Sequence, residues 1–414
     1  MSPGHALARS LTDLQDRTPG NRWGVAVSGG SDSVALLTLL CDWAHPHGIA
    51  VAAATVDHGL RPESRTEADW VARLCAGMGV PHRTLTWRGW DGTGNLQAAA
   101  RDARRALLTD WASAGNLSAV LTGHTRDDQA ETVLLRLARG SGVDGLGAMA
   151  PTVTRAGLTW ARPLLEVGRD DLQAWLRGRG QGWLSDPSNA DERFDRVRAR
   201  KLAGALADLG LTSERLAATA GHMRAASQLL RTVTADFARH HCRVDRGDVV
   251  IDRRDYLSAD PELVARILSA ALCWVSGQAY RPRFSALEGL MRDIAEGRGG
   301  TLHGCLARPR GGDIRVTREH AAVRDCAGPV AQPWDGRWHL SGPDPAAEIR
   351  ALGDAVGQVP GWQDCGLPRE SLLSSPSVWK GSVLLAAPLA GMSAGWTAIL
   401  ADGRDDFTSA IIVH

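Results

Sequence analysis

The N-terminal half of the chain alternates short apolar runs with longer amphipathic ones. The apolar runs WGVAVS, IAVAAATV, HRTLTW and SAVLTGH predict four strands, and a helical pattern follows each of them. Strands that are apolar throughout must be buried on both faces, as they are in a parallel sheet covered by helices. The sequence therefore predicts an α/β fold with a doubly wound parallel sheet, in which ligands bind at the carboxyl ends of the strands.

A loop of sequence SGGSDS joins the first predicted strand to the helix after it. Glycines allow a phosphate to approach the backbone, and the free N–H groups at a helix N-terminus attract it. The residues predicted to bind phosphate here are Ser28, Gly29, Gly30, Ser31, Asp32 and Ser33. Because a carboxylate repels phosphate unless a cation lies between them, Asp32 predicts a bound Mg²⁺. The alternative is a structural turn in which Asp32 only caps the helix.

Two more polar clusters follow strands of the same predicted sheet. VDHGLR places Asp57 and His58 after the second strand, where they are candidates for binding the nucleotide. GHTRDDQAET follows the fourth strand, and its Asp128 and Glu131 lie three residues apart on one helical face. Acidic residues in a first helical turn often serve only to stabilise the helix. Their position at the edge that also carries SGGSDS favours a role in a substrate site.

Arginines form the third group of candidates. The helical segment NLQAAARDARR carries Arg101, Arg104 and Arg105, and Arg196 lies in a later arginine-rich segment. Guanidinium groups suit phosphate or an RNA backbone, and residues 151–330 carry an excess of basic side chains. The alternative is a solvated helix face.

The remainder of the chain differs in composition from the first part. A long helix is predicted over about 212–240, then a small, mostly helical α/β region ends near residue 325. Beyond it, Pro, Gly and Trp are frequent and the apolar runs are short and β-like. We therefore predict three domains, at residues 1–210, 211–328 and 329–414.

Other features of the sequence bear on location and chemistry. The seven cysteines form no CxxC pair, which argues against a zinc ribbon or a redox motif and favours reduced thiols in a cytoplasmic protein. The N-terminus shows no secretory signal pattern. Residues 381–401 are uncharged over a length that could span a membrane, but their glycines and proline favour two short strands around a turn.

Taken in order, SGGSDS, VDHGLR, NLQAAARDARR, GHTRDDQAETVLLRLARGSG, RPLL and DPSN resemble the N-terminal domain of the tRNA(Ile)-lysidine synthetase family. The resemblance covers about residues 20–205, and it extends more weakly to YRPRFSALEGL in the predicted second domain. SGGxDS alone marks the wider PP-loop superfamily, whereas the GHxxDDQAET string after VDHGLR is specific to this family. The resemblance implies a PP-loop fold, like that of the adenine nucleotide α-hydrolases.

The resemblance also implies a reaction. In enzymes of this family, the C2 carbonyl oxygen of the wobble cytidine in an isoleucine tRNA with a CAU anticodon attacks the α-phosphate of ATP, and pyrophosphate leaves. L-Lysine then attacks C2 and AMP leaves, which forms lysidine. Asp32 with Mg²⁺, Asp128, Glu131 and Arg104 are the implied catalytic residues, with Asp128 and Glu131 binding lysine. Arg101, Arg104 and Arg196 are implied to contact tRNA or phosphate, and residues 211–328 to bind the tRNA.

The chain departs from the family pattern at two positions. Thr125 stands where a second histidine is frequent, and Val197 follows Arg196 where asparagine is frequent. Two other functions agree with parts of the sequence: a different PP-loop tRNA-modifying enzyme, such as a thiolase, and a non-catalytic nucleotide-binding protein. The missing CxxC cysteines argue against the thiolase, and the intact SGGSDS loop with its acidic pair argues against the non-catalytic protein.

Overall fold

The computed structural model describes residues 2–60, 63–90, 93–155, 157–185, 195–278, 280–401, 404 and 406–413. It divides into two compact units, residues 1–227 and 228–414. The predicted DPSN motif lies outside the described residues.

The first unit contains a six-stranded sheet with helices on both faces. Its strands are β1 (Arg22–Ala26), β2 (Ala50–Asp57), β3 (His82–Thr86), β4 (Ala119–Thr122), β5 (Thr152–Arg155) and β6 (Leu158–Ala161). Its helices are α1 (Pro3–Arg17), α2 (Ser31–Ala44), α3 (Ser64–Gly77), α4 (Leu96–Ala114), α5 (Arg126–Leu137), α6 (Val143–Leu146), α7 (Arg169–Gly178) and α8 (Asp195–Ala207). The long helix α9 (Ser213–His241) begins in this unit and continues into the second.

The strand order β3-β2-β1-β4-β6-β5 confirms the predicted doubly wound sheet. All neighbouring strands are parallel except β5, which pairs antiparallel with β6 at the edge and was not predicted. The chain runs outward from β1 in one direction to β2 and in the other to β4. The carboxyl ends of β1 and β4 therefore flank the switch point of the sheet, where such folds bind ligands.

Buried aliphatic and aromatic side chains explain why the sheet holds its covering helices. Leu36, Leu37 and Leu40 of α2 are completely buried, as are Val25 in β1 and Leu121 in β4. The apolar run of α2 is thus a core element, which fixes the SGGSDS loop that precedes it.

The second unit combines helices with three antiparallel sheets. A five-stranded sheet has the order β7-β8-β11-β10-β9, a four-stranded sheet β12-β14-β15-β16, and a two-stranded sheet β13-β17. These strands are β7 (Cys242–Asp245), β8 (Asp248–Asp252), β9 (Gly300–Leu302), β10 (Cys305–Arg310), β11 (Asp313–Arg318), β12 (Ala327–Pro329), β13 (Trp338–Ser341), β14 (Glu348–Ala351), β15 (Pro376–Lys380), β16 (Val383–Ala386) and β17 (Thr397–Leu400). The helices are α10 (Arg253–Ser258), α11 (Pro261–Ser276), α12 (Phe284–Ala295), α13 (His320–Val323), α14 (Arg369–Leu373) and α15 (Phe407–Val413).

The C-terminal stretch shares a core with the preceding part of the second unit. Phe407 and Ile411 of α15 are buried in the same cluster as Leu268 and Leu272 of α11. The Arg318 guanidinium, on β11, forms a two-pronged ion pair with Asp335, at 2.9 and 3.1 Å. Residues from the predicted second and third domains therefore pack together in the structure. The division into separate domains at 211–328 and 329–414 stays a prediction.

The uncharged segment 381–401 forms β16 and β17, as the interpretation of two short strands predicted. The two strands belong to different sheets, because β16 pairs with β15 and β17 pairs with β13. Among the described residues, no helix has the length and apolarity needed to cross a membrane.

Candidate active site

The SGGSDS loop joins the carboxyl end of β1 to α2, so the first N–H groups of this helix have no acceptor within the helix. Gly29 has φ +91°, a conformation that side chains disfavour, and a Cβ there would lie 2.8 Å from the Leu184 side chain. Gly30 is the N-cap of α2 and no side chain caps the helix. The Ser33 hydroxyl instead donates to the Gly30 carbonyl at 3.0 Å. The loop therefore has the shape of an anion site, and Asp32 lies in the first turn of α2 rather than at its N-cap.

Gly123 brings the end of β4 against the start of α2. A Cβ at this position would lie 2.9 Å from the Asp32 carbonyl oxygen and 3.0 Å from the Ser33 Cα atom. Only glycine permits that approach, because backbone atoms cannot move aside as a flexible side chain can. The close contact places the helix α5, which follows β4, beside the loop.

Three acidic side chains of the predicted site surround one guanidinium. Arg169, the first residue of α7, donates from Nε to Asp32 Oδ2 at 2.9 Å and from Nη2 to Asp128 Oδ1 at 3.4 Å. Its Nη1 lies 3.8 Å from Glu131 Oε1. Burial alone would lower the pKa of Arg169, but the Asp32 and Asp128 carboxylates outweigh it and raise that pKa. Asp32, Asp128 and Glu131 therefore form one carboxylate cluster, and its internal cation is Arg169.

Glu131 is the most buried member of the cluster, with its side chain 3% exposed. Its Oε1 accepts a hydrogen bond from Arg200 Nε at 2.8 Å, across the packed helices α5 and α8. Its Oε2 is buried without a hydrogen-bond partner among the described residues. Burial raises the pKa of Glu131, although the Arg200 hydrogen bond opposes the shift. Glu131 thus holds an open acceptor that a cationic donor would satisfy.

Thr125 and its neighbours explain how α5 holds this cluster. The Thr125 backbone N–H and hydroxyl both donate to Asp128 Oδ2, at 2.8 and 3.0 Å, and the Asp128 backbone N–H donates to the Thr125 side chain, which completes a capping box. Asp127 Oδ2 accepts from the Arg169 backbone N–H at 2.7 Å, so this carboxylate caps α7. The departure at Thr125 from the family pattern therefore has a structural role. Val197, the second departure, is buried in α8.

A cavity of about 340 Å³ lies at the carboxyl ends of β1 and β2. Ser28, His58 and Arg104 line it, together with the small side chains of Ala26 and Ala54. Its volume is in the range of small-molecule sites. The His58 Nδ1 atom is buried without a partner among the described residues, so it is available to a ligand.

Arg104 and its surroundings make one wall of this cavity electropositive. Within the described residues, Arg104 has no carboxylate within ion-pair distance. Burial, together with the neighbouring Arg196 guanidinium, lowers the pKa of Arg104. Burial also lowers the pKa of His124 to about 4, with Arg162, Arg104 and Arg196 acting in the same direction against Asp128. A half-buried guanidinium without a carboxylate partner, beside a histidine that burial keeps neutral, suits the binding of an anion.

The remaining predicted residues lie farther from these contacts. Asp57 Oδ1 accepts from the Gly59 N–H at 2.9 Å and the Ser64 hydroxyl at 2.7 Å, so this carboxylate organises the loop after β2. Arg101 is exposed on α4. The Arg105 Nη1 atom lies 3.8 Å from Asp102 Oδ1 on the same helix, an ion pair that is typical of a solvated helix face.

The sequence analysis missed Arg169 and Arg200. Each pairs with acids far away in sequence, so no local spacing indicates the contact. The charges could have indicated these residues, because three buried carboxylates at one edge of a sheet require cationic partners. The RPLLEVGRDD and RVRARK segments supply those cations.

Comparison with known proteins gives consistent matches. A family model described as a PP-loop domain matches residues 3–205. The chain is 46% identical over 399 residues to a tRNA(Ile)-lysidine synthase from Ruegeria pomeroyi, covering 96% of this chain and 95% of that protein. It is 34% identical over 384 residues to a protein of the same name from Wolbachia pipientis, covering 89% and 88%. The solved U34-tRNA thiolase NcsA from Methanococcus maripaludis superposes with a TM-score of 0.46 and 16% identity, over 54% of this chain and 78% of that chain.

Proposed function

Because the chain belongs to the tRNA(Ile)-lysidine synthase family, it forms lysidine on isoleucine tRNA at the expense of ATP, and we propose the residue roles that follow. The C2 carbonyl oxygen of the wobble cytidine is adenylated with release of pyrophosphate, and the amine of L-lysine then attacks C2 and displaces AMP. Adenylation is needed because a carbonyl oxygen is a very poor leaving group. The site must therefore hold a triphosphate, an extruded base and an amine in line.

The nucleotide occupies the cavity between the SGGSDS loop and Arg104. The uncapped N–H groups of α2 and the hydroxyl groups of Ser28 and Ser31 bind the phosphates. The unpaired Arg104 guanidinium stabilises the charge that develops on the phosphate under attack. Arg196, whose guanidinium acts on Arg104, contributes positive potential for the phosphate or the tRNA backbone. His58 offers its unpartnered Nδ1 to the nucleoside.

Mg²⁺ fits the donor set beside the loop. Asp32 offers hard carboxylate oxygens next to the phosphate-binding N–H groups, and Mg²⁺ in nucleotide sites takes one or two carboxylates plus phosphate oxygens. When bound, the metal neutralises charge on the leaving pyrophosphate. Asp32 would hold it, and Arg169 keeps the Asp32 carboxylate turned toward the cluster, through the bond from its Nε.

The lysine step depends on Glu131. Its buried, unpartnered Oε2 is the observation that carries this proposal, because an ammonium group or an amine N–H supplies the missing hydrogen bond. Arg200 fixes the other oxygen, so Oε2 has one orientation. The burial that raises the pKa of Glu131 also makes it a stronger base for the amine proton. Asp128, whose two oxygens are engaged by Thr125 and Arg169, contributes negative potential.

One assay tests the proposed function. The protein is incubated with ATP, Mg²⁺, radiolabelled lysine and total tRNA, and the labelled tRNA is identified. We expect label only on isoleucine tRNA with a CAU anticodon, and pyrophosphate release only when ATP and tRNA are both present. Pyrophosphate release without incorporation of lysine would indicate a different PP-loop modification, and neither product would indicate a non-catalytic nucleotide-binding protein. We also propose a cytoplasmic location, because the proposed reaction uses tRNA and ATP and no membrane component.

A further inference from the structure

The second unit exposes two aromatic rings close together in sequence. Tyr280 is 82% exposed and Phe284 is 60% exposed, whereas the only other tyrosine, Tyr256, is buried. Phe284 begins α12, one turn before the buried Leu287. Two large rings exposed to this extent offer aromatic faces on which a partner can stack.

The backbone beneath these rings is anchored. The Cys273 thiol, on α11, donates to the Tyr280 carbonyl oxygen at 3.5 Å. Leu287 and Leu290 fix α12 in the core of the unit. The rings are therefore presented on a fixed backbone, which reduces the entropy lost when a partner binds.

Two arginines flank the rings in sequence. Arg281 and Arg283 alternate with the aromatic residues in the segment Tyr280–Phe284, and the next charged residue along α12 is the exposed Glu288, one turn after Phe284. Arg283 is exposed and, within the described residues, has no ion-pair partner. Exposed rings interleaved with arginines match a single-stranded nucleic acid, whose bases stack on rings while its phosphates meet guanidinium groups.

We infer that Tyr280 and Phe284 form a stacking platform for unpaired nucleotides of the tRNA, with Arg283 binding an adjacent phosphate. This inference rests on the proposed function for the identity of the RNA. The two arginines interleaved with the rings favour an RNA over a protein partner that offers apolar area alone.

Binding of the full-length protein to a fluorescent transcript of isoleucine tRNA with a CAU anticodon tests this inference. Replacing both rings (Tyr280→Ala with Phe284→Ala) should raise Kd roughly 10²-fold, and each single change about 10-fold, the scale of losing a stacked base. The ring-preserving pair Tyr280→Phe with Phe284→Tyr should bind as the wild type does. Ile399→Ala is the matched control, since Ile399 is an exposed apolar residue of the same unit, 61% exposed.

Two further readouts separate stacking from other causes. Ring variants should leave the salt dependence of Kd unchanged, while Arg283→Met should reduce the log–log slope by about 1. At saturating tRNA the ring variants should retain kcat, so that the loss appears in KM. Wild-type affinity in the double alanine variant would overturn the inference, as would full binding by Phe284→Leu, which keeps apolar area without a ring. Ring-dependent binding by a wild type that forms no lysidine would support the platform and refute the proposed function.

Discussion

Removing the Arg169 guanidinium should destabilise the first unit through the carboxylates it leaves behind. Arg169→Met keeps most of the aliphatic side chain but leaves Asp32 and Asp128 without their cation, while Arg200 still pairs with Glu131. Breaking a buried pair by removing one partner costs about 3–5 kcal/mol. Because the Asp32 and Asp128 side chains are 18% and 12% exposed and one acid keeps a partner, we expect the lower end, about 3 kcal/mol.

Urea unfolding of Arg169→Met against wild type measures this cost as the difference between their free energies of unfolding. Arg177→Met, an exposed position on the same helix, is the control and should cost less than about 0.5 kcal/mol. A difference between Arg169→Met and wild type below about 1 kcal/mol would refute the reasoning.

Three other predictions concern the loop and its neighbours. Asp32→Asn should leave the fold intact and abolish tRNA-dependent pyrophosphate release, and normal release would exclude the metal role. Gly123→Ala should lower the free energy of unfolding in urea by about 1–3 kcal/mol, because the new Cβ would lie 2.9 Å from the backbone. The control Gly204→Ala, which has open space around it, should lose no stability. Equal losses in the two variants would contradict the close approach. The folded pKa of His124 is depressed to about 4, so its unfolded form binds the extra proton on acidification. Between pH 7.5 and pH 5, the free energy of unfolding of the wild type should fall by roughly 2 kcal/mol more than that of His124→Gln. Equal decreases in the two proteins would disprove this prediction.

The sequence predicted those parts of the molecule that local pattern determines. Continuous apolar runs gave the parallel strands, and the loop between β1 and α2 follows from a strand that ends in glycines and serines. The side-chain partners could not be predicted, because Arg169 reaches Asp32 across 137 residues of chain. Thr125 was predicted only as a departure from a family pattern, whereas its bond to Asp128 depends on the geometry of a helix start.

The edge strand β5 and the C-terminal stretch show the same limit. Residues 152–155 are too short and too polar to read as a strand, and β6 provides the pairing that makes them one. The short C-terminal strands were predicted, but the burial of Phe407 against α11 depends on a tertiary contact. The change in composition predicted a boundary between residues 211–328 and 329–414, whereas the structure packs side chains of both into one core.

The assignment of Glu131 to the lysine step is tested most directly by a pulse and chase. Adenylated tRNA is formed on the enzyme from [α-³²P]ATP without lysine, and lysine is then added while loss of the labelled adenylate is followed. Glu131→Gln should form the adenylate at nearly the wild-type rate but release AMP roughly 10²-fold more slowly after lysine is added, since the positioned carboxylate is lost. Glu166→Gln, at an exposed glutamate, should behave as wild type in both phases. Equal chase rates in wild type and Glu131→Gln would contradict the assignment, and failure to form the adenylate would move Glu131 to the ATP half-reaction.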